Sequence, residues 1–262
     1  MTEPVIRRSG HRTLAATAAI VVALALGGAA LSGCSVVNKI NKINNAVQSN
    51  KATIDTFTGK MSATSSLAYE ATYATTNAGS TGSAGTVTYA VQPPADLAFD
   101  FNPAIAGRSG GLGRTLVVTN SSGAYSCALV PAPGSGWTCH KLGARADAMS
   151  NKLVTLYTPS HWVTFLQDFS IAAGFAGDKI TTSAMTVNGF HLSCLDFRAS
   201  GVHGTSTICI TSQGVLGYLK AVTAAASFEI KTYTASPPAS VFALPKGAKV
   251  KGAKVKGAKG KG

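Results

Sequence analysis

Between Leu67 and Tyr233 the chain is a succession of short segments in which apolar and polar residues alternate, each cut off by Gly, Pro or Ser. A period of two is the mark of a strand with one buried face, so this stretch must build a sheet. Leu67–Thr75 leads, Gly79-Ser80-Thr81-Gly82-Ser83 breaks it, and Gly85–Val91 follows as a partner. Pro93-Pro94 stops that second strand, because Pro lacks an N–H and restricts the residue before it. Leu97, Phe99 and Phe101 then share one face of a third strand. Further strands are expected at Arg114–Thr119, Ala124–Val130, Gly136–Leu142, Lys179–Val187, Phe190–Phe197, Thr205–Thr211, Val215–Ala221 and Ser227–Tyr233. One stretch differs. After Pro159-Ser160, the residues Trp162, Phe165, Leu166 and Phe169 recur at helical spacing, which predicts a helix over 159–175. Pro237-Pro238 leads into a short closing turn, Ser240–Leu244. The expected fold class is α+β, a sheet of about ten strands folded over a helix.

The chain has five cysteines, four of them within this pattern. Setting Cys34 aside, Cys127, Cys139, Cys194 and Cys209 allow three pairings. Cys127 and Cys139 flank the turn-rich Pro131-Ala132-Pro133-Gly134-Ser135-Gly136, and Cys194 and Cys209 flank Arg198–Gly204. Local sequence therefore favours one bridge across each hairpin, worth about 3 kcal/mol apiece in the chain-entropy model. His140 beside Cys139 and His191 before Cys194 raise a metal site as the competing explanation. Zinc sites use tighter Cys-x2–4-Cys pairs, so disulfides are expected and no metal.

The ends of the chain carry different information. Arg7, Arg8 and Arg12 precede an apolar stretch, Leu14–Leu31, and then Leu31-Ser32-Gly33-Cys34. Basic start, apolar middle and small residues make an export signal. The last four residues resemble the lipobox of bacterial lipoproteins, which implies cleavage before Cys34 and diacylation of its thiol. The Arg pair is a poor twin-arginine match, favouring the general secretory route. The alternative is an uncleaved membrane helix, since Thr13–Asn38 carries no charge and about 20 apolar residues span a bilayer. Either way the residues beyond about 35 are placed at the extracytoplasmic face of the cell membrane. That compartment favours disulfides. Beyond Cys34, Val36, Ile40, Ile43 and Val47 predict a short helix over 36–47, and Ser62–Ser66 reads as a polar link. The expected organisation is a signal peptide at 1–33, a lipidated tether with a short helix at 34–66, the folded domain at 67–245, and a tail at 246–262.

That tail reads KGAKV-KGAKV-KGAKG-KG, with Lys246, Lys249, Lys251, Lys254, Lys256, Lys259 and Lys261 and no acid. The whole chain has a net charge of +13, whereas residues 34–245 carry only +4. With Gly in every repeat and like charges repelling, the tail is expected to be a disordered arm. Its end-to-end span would be roughly 20 Å, from about 5–6 Å × √17. Each Lys near an anionic surface contributes about 1 kcal/mol, so the seven are candidate contacts for an anionic wall polymer or membrane. No aromatic residue interleaves them, which argues against specific nucleic-acid binding.

The order of elements resembles the LolA-like cell-envelope lipoproteins, especially the LppX/LprG group of Gram-positive bacteria. The residues that carry it are Ala90–Leu97 with its double Pro, the Tyr125-Ser126-Cys127…Gly136-Trp137-Thr138-Cys139 hairpin, Cys194-Leu195-Asp196…Cys209–Leu216, and the closing Val241-Phe242-Ala243-Leu244-Pro245. The resemblance covers about residues 67–245. It implies a curved antiparallel half-barrel packed over one or more helices, whose concave side encloses an apolar cavity for lipid chains or lipoglycans. The Lys-rich tail departs from that pattern.

Chemistry finds little support. The acids are few and scattered, and neither a Gly-x-Ser-x-Gly elbow nor a His-Glu-x-x-His helix is present. Gly110-Gly111-Leu112-Gly113 lacks the Lys-Ser/Thr of a phosphate loop. No enzyme and no cofactor is expected. Candidate walls for an apolar cavity are Leu97, Phe99, Phe101, Trp162, Phe165, Phe169, Phe228 and Ile230. Two functions compete. One is an anchored lipoprotein that binds or carries a lipidic ligand; the other is an envelope interaction protein with a solid core and a basic tail. Composition does not decide between walls that meet and walls that leave a cavity.

Overall fold

The computed structural model describes residues 33–77, 84–104, 113–129, 136–149, 152–176, 180–198, 203–222 and 226–252. The expected signal region, the loop cores at 130–135 and 199–202, and Gly110-Gly111-Leu112 lie outside them. Helix α1 (Gly33–Ala63) comes first, followed by β1 (Tyr69–Asn77), β2 (Gly85–Gln92), β3 (Asp96–Pro103), β4 (Arg114–Asn120), β5 (Gly123–Leu129) and β6 (Trp137–Lys141). Three helices then intervene: α2 (Arg145–Met149), α3 (Lys152–Tyr157) and α4 (Pro159–Ala176). The chain closes with β7 (Ile180–Val187), β8 (Phe190–Phe197), β9 (Ser206–Ile210), β10 (Leu216–Ala221), β11 (Ala226–Thr234) and β12 (Lys249–Lys251). From Lys42 onward the chain is one compact unit, described here by itself; of the preceding residues only the helical backbone from Gly33 is described.

The twelve strands form one sheet in the order β12-β6-β5-β4-β3-β2-β1-β11-β10-β9-β8-β7. It consists of two antiparallel meanders, β1–β6 and β7–β11, laid side by side through the β1·β11 pairing. Bulges at Thr72/Tyr73 and at Leu216/Tyr218 interrupt the register and increase local twist. The α+β class and the open antiparallel sheet under helices are those expected.

One face of the sheet is apolar. Tyr69 and Tyr73 of β1, Tyr89 of β2, Leu97 and Phe99 of β3, and Phe228 and Ile230 of β11 are buried there with Leu195, Ile208 and Ile210. Val154 and Tyr157 of α3 and Trp162 and Leu166 of α4 cover them. So do Ile54, Phe57 and Met61 of α1.

This last observation corrects the expected tether. The helix predicted over 36–47 runs on to Ala63, and its second half belongs to the core rather than to a link. The spacing of Ile54, Phe57 and Met61 was the available signal. It is masked by Thr53, Thr56 and Thr58, poor helix formers whose hydroxyls instead donate to the carbonyls four residues back at 3.0, 3.1 and 2.9 Å. Asn50, also buried, accepts the N–H of Ile180 at 3.3 Å and ties the helix to β7. Gly214, at φ +82°, lies so close to the helix end that a Cβ would sit 2.1 Å from the Lys60 carbonyl oxygen. Only Gly fits that approach.

The opposite face carries two small apolar clusters, and each holds a disulfide. Cys127 and Cys139 are direct register partners on β5 and β6; Cys194 and Cys209 are the same on β8 and β9. Both expected bridges are therefore present. Phe242, from the closing turn Ala239–Phe242, caps the first cluster, and Asn120 Nδ2 donates to its carbonyl at 2.8 Å.

The tail also differs from expectation. Lys249–Lys251 adds to the edge of β6 as a parallel strand, pairing with Thr138–His140. Its three side chains are all exposed, so the pairing uses backbone hydrogen bonds and leaves the Lys charges in water. A lack of apolar residues does not prevent that. Lys254, Lys256, Lys259 and Lys261 lie outside the described residues.

Candidate functional site

Where the end of α1 meets the start of α4 the helices do not close on the sheet. They leave a groove of about 770 Å³. Its floor is Tyr69, Tyr89, Val91 and Leu97 at one end of β1–β3, and Pro93-Pro94 forms one wall. Met61 and the turn Thr64–Ser66 form the second wall; Met149 of α2 and Thr158, Pro159, Ser160, Val163 and Thr164 form the third. Pro159 suits the first position of α4, where its missing N–H leaves no helical bond unmade.

The tyrosines of the floor are held rigidly. Tyr69 packs 6.1 Å from Tyr89 and 6.2 Å from Tyr233, measured between ring centres. The Tyr89 hydroxyl lies 3.2 Å from Thr158 Oγ1, which donates to the Val154 carbonyl at 2.9 Å. Burial, and then the neighbouring phenol of Tyr89, pushes the Tyr69 pKa well above its ordinary value. The Tyr69 phenol is thus held in its neutral form. Asp96 is the one charged side chain lining the groove among the described residues, and no Lys or Arg among them lines it. Among the described residues no three His, Cys, Asp or Glu come together, and no helix is long and apolar enough to cross a membrane.

Of the eight side chains expected to line a cavity, Leu97 lines this groove. The other seven are placed elsewhere. Phe99 and Phe228 stack around Tyr157, at 5.6 and 4.7 Å, in the packed core with Ile230. Trp162 is buried and donates its indole N–H to the Leu156 carbonyl at 2.8 Å. Phe101 and Phe169 pack at the margin of that core, and Phe165 is 44% exposed. The walls meet where large aromatics were expected to leave space. The groove opens where smaller residues, Ser, Thr and Pro, cannot fill the gap between helix ends. Sequence reasoning missed Tyr69, Tyr89 and Met61 because each also fits an ordinary core pattern. The lipidation candidate Cys34 falls in the first turn of α1. Lys246, Lys249 and Lys251 are found at the β6 edge of the sheet and just before it.

Comparison with known proteins gives little beyond this. No family model matches the chain, and no curated protein matches it. Among solved structures, the crystal structure of MucB aligns with 74% of this chain and 64% of its own length, at 11% identity and a TM-score of 0.44. The MucA/MucB complex of Pseudomonas aeruginosa aligns with 73% of this chain and 61% of its own, at 11% identity and a TM-score of 0.42. The chain thus spans less than two thirds of the MucB chains it matches.

Proposed function

We propose that this protein is a membrane-anchored, extracytoplasmic lipoprotein that binds one lipidic ligand in the groove between α1 and α4, without catalysing a reaction. The groove carries this reading. Its 770 Å³ lies within the roughly 300–1,000 Å³ typical of small-ligand sites. Its floor is apolar, and its rim of Ser and Thr hydroxyls offers a few convergent polar groups. Each CH2 buried there contributes about 0.8 kcal/mol, so a single acyl chain suffices for useful affinity. The resemblance to LppX/LprG-like lipoproteins and the lipobox ending at Cys34 point the same way.

The test has two parts. Protein expressed without detergent and extracted with organic solvent releases a lipid of fixed mass in near-stoichiometric amount. Val163→Trp, which fills the groove, abolishes that signal while circular dichroism stays unchanged. Repeatedly empty preparations of the native protein would sink the proposal.

A second function is favoured by a separate observation, the exposed Lys-Val-Lys strand on the edge of the sheet. In it the basic tail contacts an anionic envelope polymer or membrane surface. Deleting 246–262 then removes a salt-sensitive association with that surface. Association that persists after truncation and in high salt refutes it.

A further inference from the structure

We propose that the outer face of β7–β10, opposite the apolar core, is a separate binding site for an anionic saccharide such as a sugar phosphate. The register places Thr181, Asp196, Thr207 and Lys220 in one row across four strands. In the next row Ser183 and Tyr218 flank the Cys194–Cys209 bridge. Together with Arg198 and Met185 these residues border a depression of about 780 Å³. That is as large as the groove on the other side of the sheet, but its chemistry is different.

Here the polar groups are organised. Asp196 accepts from Ser183 Oγ at 2.5 Å and from Thr207 Oγ1 at 2.6 Å, so both of its oxygens are engaged within the protein. The two hydroxyls spend their protons on Asp196 and keep lone pairs for the O–H groups of a ligand. Arg198 Nε donates to Thr205 Oγ1 at 3.0 Å, which orients the guanidinium while its other N–H groups remain available to an anion. Lys220 adds a second cation on the same face. Nearby, Glu229 is paired with Lys231 and does not cancel them. Among the described residues the depression therefore carries one net positive charge, several hydroxyls, and the half-buried rings of Tyr218 and Phe197 beside Met185. A saccharide with one anionic group matches all three; a lipid chain matches only the apolar surface of Tyr218, Phe197 and Met185.

The site rests on rigid elements, since the cross-strand disulfide holds β8 to β9 beneath it. It is independent of the groove and of the basic tail. The test is calorimetric titration of the full chain with glucose 1-phosphate, with glucose and inorganic phosphate as separate titrants. Glucose 1-phosphate binds at least tenfold more tightly than either component. Arg198→Gln and Lys220→Gln, both at exposed positions, each weaken it by about tenfold, or about 1.4 kcal/mol. Equal affinity for inorganic phosphate would overturn the saccharide assignment. Undiminished binding in both variants would overturn the site itself. So would binding that is lost in Lys249→Gln/Lys251→Gln and retained in Arg198→Gln, because it would belong to the tail.

Discussion

The same helices cover the same sheet face in two ways. Around Tyr157, three aromatic rings interlock: Tyr73 lies 5.0 Å and Phe228 4.7 Å from it, and Phe99 completes the cluster at 5.6 Å. At the ends of α1 and α4 the cover lifts and the 770 Å³ groove opens. Both regions contain Tyr, Leu and Val on alternating strand positions. What differs is what the cover presents: the last residue of α3, Tyr157, reaches the sheet with a large ring, whereas the turn Thr64–Ser66 and the start of α4 present short Ser and Thr. Hollow space here follows the size of the side chains that the cover presents, not how apolar the strands are.

That contrast can be broken by substitution. Phe228→Ala in the solid region should cost about 3–5 kcal/mol by denaturant unfolding. Val163→Ala in the groove wall, already partly exposed, should cost about 1 kcal/mol or less. Equal losses would mean that the groove is closed in solution. Replacing Cys194 and Cys209 by Ala should remove about 3 kcal/mol, since the bridge closes a loop of sequence separation 15. That loss should leave the proposed lipid binding intact, because the bridge lies on the opposite face.

A finer comparison uses two hydroxyls. Tyr73 is fully buried and its hydroxyl has no hydrogen-bond partner among the described residues, whereas the Tyr89 hydroxyl meets Thr158. Tyr73→Phe should therefore stabilise by about 1 kcal/mol and Tyr89→Phe should destabilise by a similar amount. Thermal melts of the pair check both signs.

Alkaline titration sharpens the picture further. Burial holds the pKa values of Tyr69, Tyr73 and Tyr157 above the unfolded value of about 10. The native state then binds more protons than the unfolded chain above that pH. Stability is fully present below pH ~10 and falls as pH rises through the folded values. Denaturation midpoints at pH 8 and pH 11, followed with tyrosinate absorbance, measure the drop. The smallest effect is at the surface, where Arg114→Gln should change stability by about 1 kcal/mol or less, although its guanidinium holds Asp100 at 2.5–2.9 Å.

Much of the fold was legible beforehand. The strands from β1 to β11 and helix α4 fall within a few residues of the segments read from alternation and from Trp162, Phe165, Leu166 and Phe169. The two disulfides followed from turn-rich links between Cys pairs. Less legible was the second half of α1, whose apolar positions are few and separated by Thr. The short α2 and α3 also escaped notice, because five and six residues show no period. The candidate site was read least well, with Leu97 the one shared residue.

Local order in this chain is a property of sequence, because strand alternation, Pro stops and hairpin Cys pairs act between residues close along the backbone. The placement of empty space is not. Whether two apolar surfaces touch depends on helix length and on the docking of Lys60 against Gly214, more than 150 positions away. The Lys-Val-Lys strand makes the same point: its composition speaks for a solvated arm, yet the open edge of β6 supplies backbone partners that composition cannot reveal.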